Sequence, residues 1–536
     1  MKRWNGWGDD AITLEINAQA LAFLREQVGP GTPPTDATLA DACAAIPASR
    51  LPAHPLLNTD PAARLANSLG QSLPDWLRRR FGVVEAVCDG VAYPESEEQV
   101  QSLLAYAQGC GAAVIPVGGA TSVVGHLTVH AGQQPVLCIN MTRMGQLLHL
   151  DTQAQLATFG AGVLGPDLEA QLRAQGFTLG HFPQSFEYTT LGGWVVTRSS
   201  GQQSLRYGRM EKLFAGGRML TPVGVLDLPT FPASAAGPDL REWVLGSEGR
   251  MGVLTKATVR VTALPAHEEF HAVFFPDWER AQAAVQALAQ AKLPLSMLRL
   301  SNPLETQTTL AMAGHARLIG AMQTYLRWRG CQGQTCVLLL GASGDRATVR
   351  HAVRSAQRIA RVQGGVAMGQ TMGRKWKANR FRNVYLRNSL WSLGYAIDTV
   401  ETACDWGRVT PMMQAVEAAA RDTLAAEGER VHAYTHLSHL YAQGASVYST
   451  FVYRLAGDYA TDLARWQRLK TAASQAIVAH GGTISHQHGV GRDHAPYLAA
   501  EKGALGLSAL QGLLQQFDPQ GCMNPGKLLP TTAQAS

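Results

Sequence analysis

Three short segments contain more glycine than packing alone requires, and all three lie between residues 80 and 265. They are Pro116-Val117-Gly118-Gly119-Ala120-Thr121-Ser122, the stretch 183–201 around Gly192-Gly193, and Gly246-Ser247-Glu248-Gly249-Arg250-Met251-Gly252-Val253. Glycine allows consecutive backbone N–H groups to turn toward a phosphate, and neighbouring hydroxyls add donors. Taken alone, the first segment is equally compatible with a turn that binds nothing. The order of all three within one unit favours a site for an extended polar ligand.

The first segment is neither G-x-G-x-x-G nor G-x-x-x-x-G-K-[ST], which disfavours the Rossmann and P-loop folds. Around it, short strands alternate with helices. Ser96-Glu97-Glu98-Gln99 is typical of a capping box and predicts a helix that ends at Gly109. Periodicity predicts further elements along the chain: strands at 114–117, 136–139, 155–159, 253–262, 335–341 and 445–454, and helices at 166–174, 277–291, 346–363 and 410–427. The fold class that follows is α+β.

Composition and charge exclude several classes of protein. Of the 536 residues, 46% are hydrophobic and 16% are charged, which is too apolar for a disordered chain. No apolar run approaches the ~18 residues of a membrane-spanning helix. The start of the chain lacks the apolar region of a secretory signal, and the end, Gln534-Ala535-Ser536, is not a peroxisomal address, so we expect a cytoplasmic location. The net charge of +6 is not gathered into a basic block, which argues against a nucleic-acid partner.

The eight cysteines are scattered and none belongs to a C-x-x-C pair, so we expect reduced thiols and no metal site. Cys331 and Cys336 lie closest together. A disulfide or a metal clip between them is disfavoured in a reducing compartment.

The glycine segments resemble the FAD-binding domain of the vanillyl-alcohol-oxidase superfamily, and most closely that of the alkyldihydroxyacetonephosphate synthases. The family loop Pro-Ile-Gly-Gly-Gly-Thr-Ser is similar to 116–122, with Ala120 in place of the third glycine. The family segments Gly-His-x-Pro-Asp-Ser-x-Glu, Gly-Gly-Trp-Val-x-Thr-Arg and Gly-Ser-Glu-Gly-x-x-Gly-Val resemble 180–187, 192–198 and 246–253. The start, Arg3-Trp4-Asn5-Gly6-Trp7-Gly8, looks like the tryptophan-rich segment that precedes the catalytic part of that family.

The resemblance implies a two-subdomain FAD-binding domain and an α+β cap domain that binds substrate. Along the chain it implies a helical N-terminal region at 1–75, the FAD-binding domain at 76–265, the cap at 266–480, and a C-terminal segment at 481–536 that returns to the flavin. No histidine or cysteine lies inside the first loop, and His126 is interpreted as structural, so we expect non-covalent FAD. The residues expected to contact FAD are Pro116, Val117, Gly118, Gly119, Ala120, Thr121, Ser122, Gln184, Ser185, Thr189, Thr190, Gly193, Thr197, Arg198, Ser199, Ser200, Glu248, Gly249, Gly252, Val253 and Leu254.

Four candidate catalytic residues are Tyr448, His486, His488 and His181. A strand tyrosine is more often a packing residue, but its phenol acts as acid or base where a neighbouring cation lowers its pKa. Tyr448 falls where the resemblance implies a catalytic tyrosine, and His181 matches a histidine near the flavin. Without the resemblance, Ser485-His486-Gln487-His488-Gly489 is a surface loop or a pair of metal ligands. The family has three consecutive histidines there, and Gln487 replaces the middle one.

Two arginines are candidate substrate ligands. Arg387 matches the family arginine that binds the substrate phosphate, a task suited to a permanently charged planar group that bonds two oxygens at once. From the residues alone it is a solvated helix arginine. Arg299 matches a second arginine important for activity, although Ser301 stands where an acidic residue is expected. The stretch 398–408 also resembles the family and is interpreted as framework of the cap.

The resemblance implies that the acyl group of acyl-dihydroxyacetone phosphate is exchanged for a fatty alcohol, giving an ether without net redox change. It also implies a small-molecule lipid substrate, peripheral membrane contact and a homodimer. The alternative is an FAD-dependent dehydrogenase of 2-hydroxy acids such as D-lactate or glycolate. The His439-Leu440-Tyr441-Ala442-Gln443-Gly444 stretch departs from those enzymes, whereas the tail Asn524-Pro525-Gly526-Lys527-Leu528 resembles them. A flavin-free binding protein on the same fold is the third possibility.

Overall fold

The computed structural model describes residues 1–84, 86–129, 132 and 134–530. The chain end at 534–536, considered above for targeting, lies outside the described residues. The N-terminal region contains four helices, and each begins after a side chain that accepts a hydrogen bond from the backbone three residues on: α1 (Ala18–Val28), α2 (Leu39–Ala44), α3 (Pro61–Ser68) and α4 (Leu73–Phe81). Residues before α1 form no helix. They pack against the cap instead, where the Trp7 backbone N–H and carbonyl both bond the Asn388 amide.

The unit that contains the three glycine segments begins with a small sheet in the order β1-β2-β4-β3, in which β4 pairs in parallel with β2 and β3. Its elements are β1 (Leu57–Asn58), β2 (Gly90–Ala92), α5 (Glu97–Cys110), β3 (Ala113–Val117) and β4 (Val136–Asn140). Ser96 caps α5 as expected. The helix runs past Gly109 because Gly111, at φ +66°, is the residue that adopts the left-handed cap.

A second, antiparallel sheet follows in the order β5-β6-β10-β8-β9. This half contains β5 (Leu147–Asp151), β6 (Leu156–Gly160), α6 (Gly165–Arg173), β7 (Phe177–Thr178), α7 (Leu191–Val196), α8 (Ser204–Tyr207), α9 (Met210–Leu213), β8 (Phe214–Thr221), β9 (Gly224–Leu228), α10 (Arg241–Val244), β10 (Val253–Arg260) and β11 (Thr262–Ala263). The strand predicted at 253–262 is found as β10 and β11, and β10 alternates as a half-buried strand does: Thr255, Ala257 and Val259 are buried, whereas Lys256 and Thr258 are partly exposed.

The cap is built on a seven-stranded antiparallel sheet in the order β15-β12-β14-β13-β17-β18-β16. Its elements are β12 (His267–Phe275), α11 (Trp278–Gln290), β13 (Leu295–Ser301), α12 (Pro303–Ala313), α13 (Ala316–Trp328), β14 (Cys336–Gly344), α14 (Arg346–Val362), β15 (Val366–Ala367), α15 (Thr371–Asn379), α16 (Leu386–Ser392), β16 (Tyr395–Asp405), α17 (Trp406–Ala425), β17 (His432–Leu437), β18 (Gly444–Arg454) and α18 (Tyr459–Ala479). Helix α17 begins at Trp406 rather than at 410, because Asp405 ends β16 and the helix follows at once.

The largest hydrophobic core joins one face of this sheet to α11, α14, α17 and α18, and it includes Trp7 and Trp76 from the N-terminal region. A smaller core on the other face contains residues of α13 and α15. The C-terminal segment contains α19 (Ala499–Phe517) and then returns to the unit of the glycine segments, where Met523 lies beside Val114 of β3. The predicted α+β architecture with a returning tail is confirmed. No helix among the described residues is both long enough and apolar enough to cross a bilayer.

Candidate active site

A cavity of about 350 Å³ lies between the glycine-rich loops and strands β16 and β18 of the cap. It brings together most of the residues singled out from the sequence: all of 116–122, Gln184, Ser185, Thr189, Thr190, Gly193, Thr197, Ser199, Glu248, Gly249, Gly252, Val253, Leu254, Arg387, Tyr448 and His488. Five others lie outside its wall: Arg198, Ser200, His181, His486 and Arg299. The wall also includes residues that were not among the predicted site residues, namely Trp7, Gln71, Val384, Leu386, Ile397, Asp398, Thr399 and Asn524.

The first glycine loop is built to receive an anion. Within the described part of the chain, no acceptor bonds the backbone N–H groups of 118–122, so five consecutive donors are free beside the cavity. The second segment packs directly on this loop, because a Cβ on Gly119 would lie 1.4 Å from the Tyr188 carbonyl oxygen. Ala120 adopts φ +58°, the left-handed conformation that explains why glycine suits this position. This row of donors fits the diphosphate of FAD.

Glu248 ties the third glycine segment to the C-terminal loop. Its carboxylate accepts hydrogen bonds from the backbone N–H groups of Val490 and Gly491, at 2.5 and 2.8 Å. His126 lies between the first and third segments, with Nδ1 2.7 Å from Ser122 Oγ and Nε2 3.0 Å from Glu248 Oε2. Nδ1 is therefore held by Ser122, whereas Nε2 is buried beside the Glu248 carboxylate without a well-aligned hydrogen bond.

The second segment, 183–201, contributes hydroxyl side chains rather than charged side chains to the cavity wall. Ser199 lines the cavity, and its Oγ lies 3.1 Å from Nε2 of His181 behind the wall. The His181 ring packs on Trp194, and burial lowers the pKa of this imidazole to about 3, so it is neutral at physiological pH. Ser200 is buried, and Arg198 points to the surface, where it pairs with Glu242.

Arg387 places a cation without a directly paired carboxylate in the cavity wall, although the charges of Asp398 and Asp75 lie near it. Its guanidinium lies 4.2 Å from the ring centre of Trp76, and its Nη1 donates to the Gln71 carbonyl. Nε and Nη2 are enclosed by protein yet have no partner, and no carboxylate among the described residues pairs with Arg387. Burial lowers the pKa of this guanidinium to about 10. An arginine left in this state is a binding group for an anion.

Arg299 acts one layer behind the cavity. Its Nη2 pairs with Glu305 at 2.6 Å and lies 3.1 Å from Nδ1 of His436. The ring of His436 in turn stacks on Tyr448, with ring centres 4.7 Å apart. Position 301 has no carboxylate, and Arg299 pairs instead with Glu305 in the first turn of α12, so Arg299 supports the residues behind the phenol.

Tyr448 presents its phenol to the cavity from β18 and donates a hydrogen bond to Thr399 Oγ1 at 3.2 Å. Burial raises the pKa of this phenol, and the nearby carboxylates of Glu401 and Asp398 act in the same direction. The cation-lowered pKa considered from the sequence is therefore not present in this structure. The phenol stays protonated, so it acts as a hydrogen-bond donor or an acid.

The histidine loop is held by Glu401, a residue of the stretch that sequence reasoning treated as framework. Glu401 is 1% exposed. Strands β16 and β18 are paired, and Glu401 on β16 lies directly opposite Tyr448 on β18. His486, His439 and Gln487 all contact its carboxylate. Burial raises the pKa of Glu401, but the contacts from these imidazoles outweigh it and hold the pKa well below its usual value. Strand pairing is the signal that identifies Glu401, and pairing is not visible in the sequence.

Two domain families match the chain: a FAD binding domain over residues 88–228 and the FAD linked oxidases, C-terminal domain over residues 264–528. Together with the glycine-lined cavity, they define an FAD-dependent enzyme of the FAD-linked oxidase type. The alkyldihydroxyacetonephosphate synthase of Dictyostelium discoideum is 30% identical over 482 residues, which cover 89% of this chain and 79% of the relative. The chain belongs to the alkyldihydroxyacetonephosphate synthase family.

A solved alkyldihydroxyacetonephosphate synthase structure superposes with a TM-score of 0.84 at 26% identity, covering 98% of both chains. The mitochondrial D-lactate dehydrogenase (cytochrome) of Arabidopsis thaliana is 26% identical over 453 residues, covering 82% of this chain and 73% of the relative. The dehydrogenases are thus the more distant relatives.

Proposed function

We propose that the protein exchanges the acyl group of an acyl-dihydroxyacetone phosphate for a fatty alcohol, forming an ether-linked product. The observation that carries this proposal is Arg387, a cation in the cavity wall that has no carboxylate partner among the described residues. A phosphate-bearing substrate supplies the missing anion, and a fork of two N–H donors matches two phosphate oxygens. A small 2-hydroxy acid needs no phosphate site.

FAD would be held by the free N–H groups of 118–122 and by the loops around Thr190, Ser199 and Glu248. When bound, oxidised FAD would supply an electrophile for the reacting carbon. The apolar wall formed by Trp7, Val384, Leu386 and Ile397 excludes water and accommodates the start of a lipid chain. The first loop contains no histidine or cysteine, which supports a non-covalent cofactor.

Proton transfer is assigned to His488 and Tyr448, whose side chains lie in the same wall with ring centres 5.9 Å apart. Burial lowers the pKa of His488, so its imidazole is neutral and suited to accept a proton from the carbon next to the substrate ketone. The protonated phenol of Tyr448 donates a hydrogen bond or a proton to a substrate oxygen. Arg387 fixes the phosphate end, so the reacting carbon is presented to both groups.

We also propose a cytoplasmic homodimer that touches membranes at its periphery. All eight cysteines are free thiols, which suits a reducing compartment. Helix α14 exposes five arginines along one side and contains no acidic residue: Arg346, Arg350, Arg354, Arg358 and Arg361. None of the five has a partner among the described residues, so this face is complementary to anionic lipid.

The test is an exchange assay on the yellow holoprotein. Palmitoyl-dihydroxyacetone phosphate and radiolabelled hexadecanol should give a labelled ether lipid and one free palmitate for each ether formed. The D-lactate and glycolate alternative predicts something different: no ether, and bleaching of the flavin when a 2-hydroxy acid is added without oxygen.

A further inference from the structure

Glu401 is the centre of a buried group of polar side chains behind the cavity. Its Oε1 lies 3.1 Å from Nδ1 of His486 and 3.4 Å from Nδ1 of His439. Its Oε2 accepts a hydrogen bond of 2.6 Å from the Gln487 amide, and Nε2 of His488 lies 3.8 Å from the same oxygen. The Ser438 hydroxyl also donates to Oε1 at 3.3 Å, so five side chains from two loops converge on one carboxylate.

Two histidines and a carboxylate at this spacing also suggest a metal site, because one ligand atom from each of Glu401, His439 and His486 lies within 4.8 Å of the others. Arg209 argues against that assignment. Its Nη1 lies 2.5 Å from Nε2 of His486, and its Nη2 donates to the His486 carbonyl at 2.8 Å. A guanidinium only donates, so this pattern makes Nε2 the acceptor and places the ring hydrogen on Nδ1, facing Glu401. A metal bound at Nδ1 needs the opposite tautomer.

Gln487 then has a definite task in this chain. Its NH₂ group donates to Glu401 Oε2 and occupies the oxygen nearest to His488. His488 is left without a short hydrogen bond to the carboxylate, and its partly exposed ring lines the cavity. A histidine that bonded Glu401 directly would hold its proton more tightly.

We propose that Glu401 is a positioning residue: it fixes the 486–488 loop through His486 and Gln487, so that His488 faces the cavity as a neutral proton acceptor. The role of acceptor rests on the proposed function, whereas the geometry and the titration of His488 do not. The charged and titratable groups that face His488 are Glu401 and Asp398 from β16, Lys470 from α18, His439 from the loop between β17 and β18, Tyr448 from β18 and His494 from the C-terminal segment. The two carboxylates favour the protonated ring, and Lys470 and His439 oppose it.

Two substitutions move the titration of His488 in opposite directions. Glu401→Gln removes a negative charge, so the pKa of His488 falls further. Gln487→Leu removes the amide donor and frees Oε2 for His488, so the pKa rises, by about one unit for a close opposite charge. The matched control is Glu417→Gln, because Glu417 is a buried glutamate that bonds Asn302 and Thr435 away from the cavity.

The experiment labels holoprotein with diethyl pyrocarbonate across a pH series and measures modification of the His488 peptide by mass spectrometry. We expect a lower midpoint in Glu401→Gln, a higher midpoint in Gln487→Leu, and an unchanged midpoint in the control. The acid limb of kcat should shift in the same directions. In Glu401→Gln, kcat should fall about 10- to 100-fold with little change in KM, since proton transfer contributes about 10²–10⁴-fold.

Bound FAD, measured by absorbance, shows that each variant is folded. Equal midpoints in all variants would overturn the proposal. So would a metal ion bound stoichiometrically to the wild type and lost in Glu401→Gln. If neither the wild type nor any variant makes the ether but the midpoints of His488 modification move as stated, the positioning role stands and the proposed function fails.

Discussion

Replacing Arg387 by lysine tests the phosphate site with the least disturbance. The substitution keeps the positive charge but removes the planar fork. In the wild type, Nη1 is used by the Gln71 carbonyl and the guanidinium lies 4.2 Å from the ring centre of Trp76, so Nε and Nη2 are the donors that have no protein partner. A lysine ammonium offers one point of contact and loses the ring contact.

The expected effect follows from the number of donors lost. A hydrogen bond to a charged group contributes about 1.5–3 kcal/mol, and losing one net bond of the fork costs about that amount. Because 1.4 kcal/mol corresponds to about tenfold in affinity, KM for the acyl substrate should rise about 10- to 150-fold. Binding of FAD should not change, since the cofactor loops do not bond Arg387.

The assay compares kcat and KM for palmitoyl-dihydroxyacetone phosphate at saturating hexadecanol. Arg380→Lys is the matched control, because Arg380 also stacks on aromatic rings, those of Phe182 and Phe381, and its pKa is likewise lowered to about 10 by burial. It does not line the cavity, and its KM should stay within about twofold of the wild type. An unchanged KM in Arg387→Lys, or an equal rise in the control, would refute the assignment.

Four further results are expected. Tyr448→Phe should lower kcat about 10²-fold or more while FAD content stays normal, because the phenol proton is lost; an unchanged kcat contradicts its role. Ala120→Gly should raise the free energy of unfolding by about 0.5–1 kcal/mol in urea titrations, since the left-handed strain of about 1–2 kcal/mol exceeds the entropy cost of glycine. Acid precipitation of the holoprotein should release all FAD into the supernatant, as expected for a non-covalent cofactor. A smaller fraction of the triple variant Arg350→Gln/Arg354→Gln/Arg358→Gln than of the wild type should sediment with phosphatidylglycerol vesicles. The single variant Arg25→Gln should sediment like the wild type.

The local elements were predictable because their signals are local. The alternation in β10 and the cap at Ser96 each depend on neighbouring residues, and both are found in the structure. Element ends were less predictable. Helix α5 passes one glycine and stops at the next, because only Gly111 adopts the left-handed cap, a choice that the sequence does not display.

The candidate site was predictable where the motif itself forms the wall. The glycine loops, Arg387 and Tyr448 all line the cavity. Glu401 was missed because its importance comes from the pairing of β16 with β18 and from the return of the C-terminal loop. Trp7 was noted only as part of a motif. Its place in the wall depends on contacts with Asn388, 381 residues away.

The central claim is an exchange of groups rather than a net oxidation, and one experiment addresses it directly. The yellow holoprotein is mixed without oxygen with palmitoyl-dihydroxyacetone phosphate and labelled hexadecanol, and the flavin spectrum is recorded throughout. The account predicts labelled alkyl-dihydroxyacetone phosphate, an equal amount of palmitate, and fully oxidised flavin when the substrate is consumed. Lasting bleaching of the flavin by D-lactate or glycolate, with no labelled ether, would contradict it.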